Sequence, residues 1–123
     1  KRDWGFAGDY VEAMWKMLQY KKPDDYVIST GETHTIKEFI NEVGNFLGFD
    51  LYWSGKGINE KCYNKKTKKL IVKINKKFFR PAEVNYLRGD YSKAKKILKW
   101  KPATKFKRLV KIMCEDEAKL YTK

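Results

Sequence analysis

Tyr26-Val27-Ile28-Ser29-Thr30-Gly31-Glu32-Thr33-His34-Thr35-Ile36-Lys37-Glu38-Phe39-Ile40-Asn41-Glu42-Val43-Gly44-Asn45-Phe46-Leu47-Gly48 changes its apolar period partway along, and that change sets the fold class. Tyr26 to Ser29 is a short β-prone run, interrupted by Thr30 to His34. Ile36, Phe39, Ile40, Val43 and Leu47 then recur at the spacing of one helix face. Thr35 and Glu38 have the separation of a reciprocal helix cap, and Gly48 suits a left-handed C-cap because it has no Cβ to clash. Strand, loop and helix in succession place the chain in the α/β class.

Towards the N-terminus, Asp9 and Glu12 repeat the capping separation, and Val11, Met14, Trp15 and Leu18 predict one buried helix face. This helix should end near Tyr20 or Lys21, before Pro23. Towards the C-terminus, Leu51-Tyr52-Trp53 predicts a short strand and Ser54 to Gly57 a turn. The chain then loops through a lysine run to a second strand at Leu70-Ile71-Val72-Lys73-Ile74. Pro81 suits the first turn of a short helix through Leu87. Asp90 or Ser92 should cap a helix carrying Ala94, Ile97 and Leu98, closed by Pro102. Thr104 should cap a last helix whose core face carries Leu109, Val110, Met113, Cys114, Glu117 and Leu120, all apolar but Glu117.

At 123 residues the chain holds one ordinary domain and is too short for a complete dinucleotide-binding fold plus a separate substrate domain. It begins without Met, which leaves a fragment, or one module of a larger enzyme, as an open expectation. Cys62 and Cys114 form no close pair, which argues against a disulfide framework or zinc cluster and for a reducing, cytoplasmic setting. No apolar run approaches the roughly 18 residues that a membrane span needs. Residues 1 to 60 carry a net charge of −3 and residues 61 to 123 carry +16, with nine basic side chains and no acid between Lys61 and Arg80. Such a density attracts polyanions or phosphate-bearing ligands, or is simply a solvated lysine surface. Nucleic acid is disfavoured, since Phe78 and Phe79 are adjacent rings that point opposite ways on an extended chain.

No glycine-rich phosphate loop is present, and His34, the only histidine, has no second histidine with which to hold a metal. Its loop position suits either a ligand contact or, more often, a hydrogen bond to a neighbouring carbonyl that organises the turn. Two arginine-centred segments remain, Arg2-Asp3-Trp4-Gly5 and Arg80-Pro81-Ala82-Glu83. Two guanidinium groups converging on a diphosphate would give planar, multi-donor recognition, and Glu83 could accept hydrogen bonds from sugar hydroxyls. Spacing alone favours a structural alternative, in which Arg2 pairs with Asp3 or Asp9, Arg80 caps a loop and Glu83 sits in a first helical turn.

The run from Arg2 to Trp15, Arg-Asp-Trp-Gly-Phe-Ala-Gly-Asp-Tyr-Val-Glu-Ala-Met-Trp, resembles the RDWGHAxDYVEAMW segment of GDP-mannose 4,6-dehydratases. Phe79 to Val84 resembles that family's FRPAEV segment. Gly31-Glu32-Thr33-His34, the run from Gly89 to Ala94, and Leu98 to Pro102 follow in the family's order. The resemblance departs at Phe6 (usually His), Asn75 (usually Asp), Lys77 (commonly Arg) and Asn85 (commonly Asp), positions that bear on local polar contacts.

The resemblance implies the C-terminal, substrate-binding portion of an extended short-chain dehydrogenase/reductase, a mixed helix and short-strand piece lacking most of the Rossmann sheet. Residues 1–123 would form a single substrate-side module, with 1–21 and 26–48 completing or packing against the missing N-terminal Rossmann portion. It further implies that Arg2 and Arg80 contact the diphosphate of GDP-mannose and that Glu83 contacts the nucleotide ribose. In the complete enzyme, NADP would take hydride from the sugar's C4, water would leave across C5 and C6, and hydride would return at C6. The catalytic Thr or Ser, Glu, Tyr and Lys would precede this region. The chain alone would then have no catalytic residue, no tight cofactor site and little or no turnover. A homo-oligomer is compatible with it. The competing expectations are a noncatalytic basic module that binds nucleic acid or an acidic partner, and a mainly structural assembly module.

Overall fold

In the computed structural model, which describes residues 1–80 and 82–120, the element order is α1 (Ala7–Gln19), α2 (Ile36–Phe46), β1 (Leu51–Ser54), β2 (Lys61–Asn64), β3 (Leu70–Lys73), α3 (Ser92–Ile97) and α4 (Phe106–Lys119). Two 3-10 turns lie at Gly57–Asn59 and Lys76–Phe78. The strands form an antiparallel sheet in the order β1-β2-β3. The described residues thus make a small α/β fold with a short open sheet and no doubly wound Rossmann sheet.

Helix α2 forms where its sequence predicts, but Ile36 and Leu47, expected on its core face, are 62% and 49% exposed. Thr35 accepts the Glu38 N–H at 3.0 Å, and Glu38 accepts the Thr35 N–H at 2.7 Å. Gly48 then takes a φ of 72° just beyond the helix. Gly44 is buried on the face that meets the sheet, where an added Cβ would lie 2.5 Å from Leu51 Cδ1, so its missing side chain lets β1 approach. Trp53 donates its indole N–H to Asn41 Oδ1 at 2.8 Å, tying β1 to α2. On the facing pair of β1 and β2, Tyr52 and Tyr63 stack with ring centroids 5.3 Å apart.

Two apolar centres organise the rest. Ala13, Ala94, Leu98 and Trp100 form one, with Tyr10, Met17, Tyr26, Ile28, Tyr91 and Ile97 around it. In the other, Phe106 lies among Trp4, Phe39 and His34, and α4 packs on α2.

Several expectations are corrected. Asp9 does not cap α1, which opens after Phe6 without a side-chain cap; Asp9 lies in the first turn and is buried against the 103–104 segment. The α1 residue fully buried is Ala13, whereas Val11, Met14, Trp15 and Leu18 are 58 to 83% exposed. The spacing locates an apolar stripe correctly, but no described residue covers it. Tyr26 to Ser29 is not paired as a strand. Residues Lys61 to Asn64, expected to be loop, are the central strand β2, because Cys62 and Tyr63 pair on both sides and outweigh the lysine-rich composition. The short helix expected from Pro81 to Leu87 does not form over 82–87, and Pro81 itself lies outside the described residues. Neither Thr104 nor Ser92 is an N-cap. Those positions are Lys105 and Tyr91, with Thr104 engaged by Asp9 and Ser92 by Asp90.

Candidate functional site

Arg2 belongs to the first segment of the chain, which runs beside the turn before α2. Its backbone exchanges two hydrogen bonds with His34, of 3.0 and 2.9 Å, in an isolated antiparallel bridge. Asp3 anchors that segment from below. Its Oδ1 accepts from the Thr30 N–H at 2.8 Å and the Thr30 hydroxyl at 2.5 Å, and its Oδ2 accepts from the N–H groups of Gly31 at 2.9 Å and Gly89 at 3.2 Å. One carboxylate thereby ties three separate segments, filling most of its acceptor capacity.

This anchoring sets the Arg2 guanidinium against the 83–85 segment. Arg2 NH1 donates to the carbonyl oxygens of Lys1 at 2.9 Å and Val84 at 2.5 Å, and NH2 pairs with Glu83 Oε1. The other carboxylate oxygen, Glu83 Oε2, lies 4.0 Å from Arg80 NH1. Glu83 is therefore shared by two arginines far apart in sequence, and it forms the wall between two depressions. One is lined by Arg2, His34, Ile36 and Val84, the other by Lys73, Asn75, Phe78, Phe79 and Arg80. The side chains are 30% exposed at Arg2, 45% at Glu83 and 80% at Arg80, so the cluster is open to a ligand from solvent.

All three site residues predicted from the sequence come together, and the alternative pairing of Arg2 with Asp3 or Asp9 does not occur. Asp9 is used like Asp3, as an acceptor of backbone N–H groups, and is itself buried: its Oδ2 takes the N–H groups of Ala103 at 3.1 Å and Thr104 at 2.8 Å. His34 stacks on Phe106 with ring centroids 3.7 Å apart, and its ring nitrogens lie 3.9 Å from Glu32 and 3.5 Å from Glu38. Its Nε2 is buried without a hydrogen-bond partner among the described residues, so the ring works chiefly through its aromatic face and not through the neighbouring carbonyl expected. Asn75 accepts the Lys77 N–H at 3.0 Å and so organises the turn that leads to Phe79 and Arg80.

Sequence reasoning missed the anchoring by Asp3. Its partners lie 27, 28 and 86 positions away, and nothing local in the sequence connects them. Among the described residues no group of three or more His, Cys, Asp or Glu side chains could hold a metal ion. The thiols of Cys62 and Cys114 are free, and burial is the main cause that raises the pKa of each above its ordinary value. No described helix is long and apolar enough to cross a membrane.

By fold and surface chemistry, the class is a small α/β fold without a Rossmann sheet, carrying an arginine–glutamate–arginine cluster. The family model for GDP-mannose 4,6 dehydratase matches residues 1–113. The chain is 50% identical to a GDP-mannose 4,6 dehydratase of Dictyostelium discoideum over 113 residues, covering 92% of this chain and 32% of that protein. It is 47% identical over 123 residues to the one of Drosophila melanogaster, covering 100% of this chain and 31% of that protein. It is also 47% identical over 120 residues to the one of Homo sapiens, covering 98% of this chain and 32% of that protein. The chain belongs to the GDP-mannose 4,6-dehydratase family, and it spans about a third of the length of these relatives.

Proposed function

We propose that this chain is the substrate-side portion of a GDP-mannose 4,6-dehydratase, and that it holds the diphosphate of GDP-mannose between Arg2 and Arg80 with Glu83 beside the ribose hydroxyls. The observation that carries this reading is the convergence of those three side chains on one exposed strip. Two guanidinium groups supply planar donors to phosphate oxygens, and a carboxylate supplies acceptors for hydroxyl groups. Neither a phosphate loop nor a parallel nucleotide-binding sheet is found among the described residues, so the residues present do not fit NADP. In this proposal NADP and the catalytic side chains belong to an N-terminal Rossmann portion, and this chain binds and orients substrate.

The exposed α1 stripe of Val11, Met14, Trp15 and Leu18, and the β-prone but unpaired Tyr26 to Ser29, suit contact with such a portion. Segments 1–21 and 26–48 would complete it. The two free cysteines fit a cytoplasmic setting. The test combines activity and reconstitution. The 123-residue chain with NADP should leave GDP-mannose unchanged, whereas the chain joined to the N-terminal portion of a relative should dehydrate it. Turnover by the chain alone sinks the division of labour.

A second reading has its own observation. Lys61, Lys66, Lys68, Lys69, Lys73, Lys76 and Lys77 are exposed and make no ion pair among the described residues, which suits an acidic polymer. Salt-dependent binding of unrelated RNA without preference for GDP-mannose would favour it.

A further inference from the structure

We infer that Glu83 is a built-in competitor for the site's arginines, displaced by the incoming diphosphate and then reused as a hydroxyl acceptor. This rests on the diphosphate reading above and adds a regulatory step to it.

Arg2 is held in place by the chain itself. Both NH1 hydrogens are committed to the carbonyl oxygens of Lys1 and Val84, and the adjacent backbone is bridged to His34 and anchored through Asp3. The guanidinium has five N–H donors, so the ones left for an anion are on NH2 and Nε, the side that Glu83 occupies. A phosphate oxygen cannot use that side fully while the carboxylate stays. Of the two partners, the Glu83 side chain is the one free to swing away: it is 45% exposed, while its backbone segment stays tied to the first segment through Val84 and Leu87. Arg80, 80% exposed and 4.0 Å from the same carboxylate, is the second donor that exchange releases.

The exchange also explains why a carboxylate would stand in an anion site, where its charge opposes a phosphate. While paired, its single negative charge offsets part of the charge of the two arginines; once displaced, it remains beside the bound nucleotide, where hydroxyl groups can donate to it. A ligand with hydroxyls recovers the cost of displacing Glu83, and a bare diphosphate does not. Glu83 therefore acts as a selectivity residue against simple phosphates.

The test uses inorganic pyrophosphate and GDP as probes, titrated separately into the 123-residue chain and followed by amide chemical shifts. Glu83→Gln should bind pyrophosphate about two- to fivefold more tightly, the size expected when a partly exposed ion pair no longer competes. The preference for GDP over pyrophosphate should shrink in that variant, and Glu83→Ala should give the same signs. Pyrophosphate binding that is lost in Arg2→Ala but is unchanged or weakened in both Glu83 variants overturns the exchange and leaves the diphosphate reading standing. Equal tightening of both probes overturns the hydroxyl half of it. No pyrophosphate binding, or binding indifferent to Arg2→Ala, overturns the diphosphate reading and the exchange together.

Discussion

Asp3 Oδ2 accepts the backbone N–H of Gly89 at 3.2 Å, joining residues 86 positions apart at the base of the arginine–glutamate cluster. With the bonds to Thr30 and Gly31, this contact fixes where the Arg2 backbone runs relative to the segment that carries Glu83. Asp3→Asn keeps the volume but replaces one acceptor oxygen by an NH2 group facing N–H donors. It should cost about 1 to 3 kcal/mol in unfolding free energy. It should also weaken GDP-mannose binding at a temperature where the chain is still folded. Urea denaturation and a binding titration check the two effects; intact binding in a destabilised chain would reduce Asp3 to a structural tie.

Asp9 is the parallel case away from the site. It is 8% exposed, and it receives two backbone N–H groups at the entry to α4, while its own carbonyl takes the Trp100 indole N–H at 2.9 Å. Asp9→Ala leaves those part-buried donors without their carboxylate and should destabilise the fold by about 1 to 3 kcal/mol. Binding of GDP-mannose by the folded fraction should not change. A change in stability within about 0.5 kcal/mol, the range of ordinary surface substitutions, would contradict the assignment.

Acid should weaken the start of α2. The Glu38 carboxyl lies below its ordinary pKa, chiefly because it accepts the Thr35 backbone N–H, with a smaller contribution from His34. A folded-state pKa below the unfolded value gives stability that is fully present above the unfolded pKa and is lost as pH falls through the folded one. The urea midpoint should therefore drop on acidification through and below the usual carboxylate range. Glu38→Gln should have a lower midpoint at neutral pH and a flatter acid limb. An unchanged acid limb in the variant would contradict the cap's contribution.

The α1 stripe should behave as a contact surface. Trp15 is 60% and Leu18 83% exposed, so replacing both with Lys should alter stability of the isolated chain by no more than about 0.5 kcal/mol. Sedimentation should show less self-association, since contiguous exposed apolar surface promotes it. A large loss of stability would show that the stripe is packed within this chain.

Local elements were legible where the signal was local. The Thr35–Glu38 cap, the apolar period of α2 and the β-prone Leu70 run each specify their element through neighbours a few positions away. Lys61 to Asn64 was not legible, because its strand character comes from pairing on both sides and not from composition. The α1 stripe was read correctly as apolar and wrongly as buried, since periodicity shows which residues share a face and not what covers it. At the candidate site, Arg2, Arg80 and Glu83 were proposed through their resemblance to family segments. Spacing alone favoured Arg2 with Asp3 or Asp9, and only the folded chain shows both aspartates spent on distant backbone N–H groups.

In the proposed reading, this strip recognises a nucleotide-sugar diphosphate through positioned arginines and not through general positive charge. GDP-mannose titrated into the chain, its Arg80→Ala variant and its Lys66→Ala variant, at low and at physiological salt, tests it most directly. Lys66 is exposed, basic and outside the cluster. Binding should weaken markedly more in Arg80→Ala than in Lys66→Ala, and the Arg80 effect should shrink as salt screens it. Equal losses in the two variants, or an Arg80 effect of the same size at both salt concentrations, would contradict the claim.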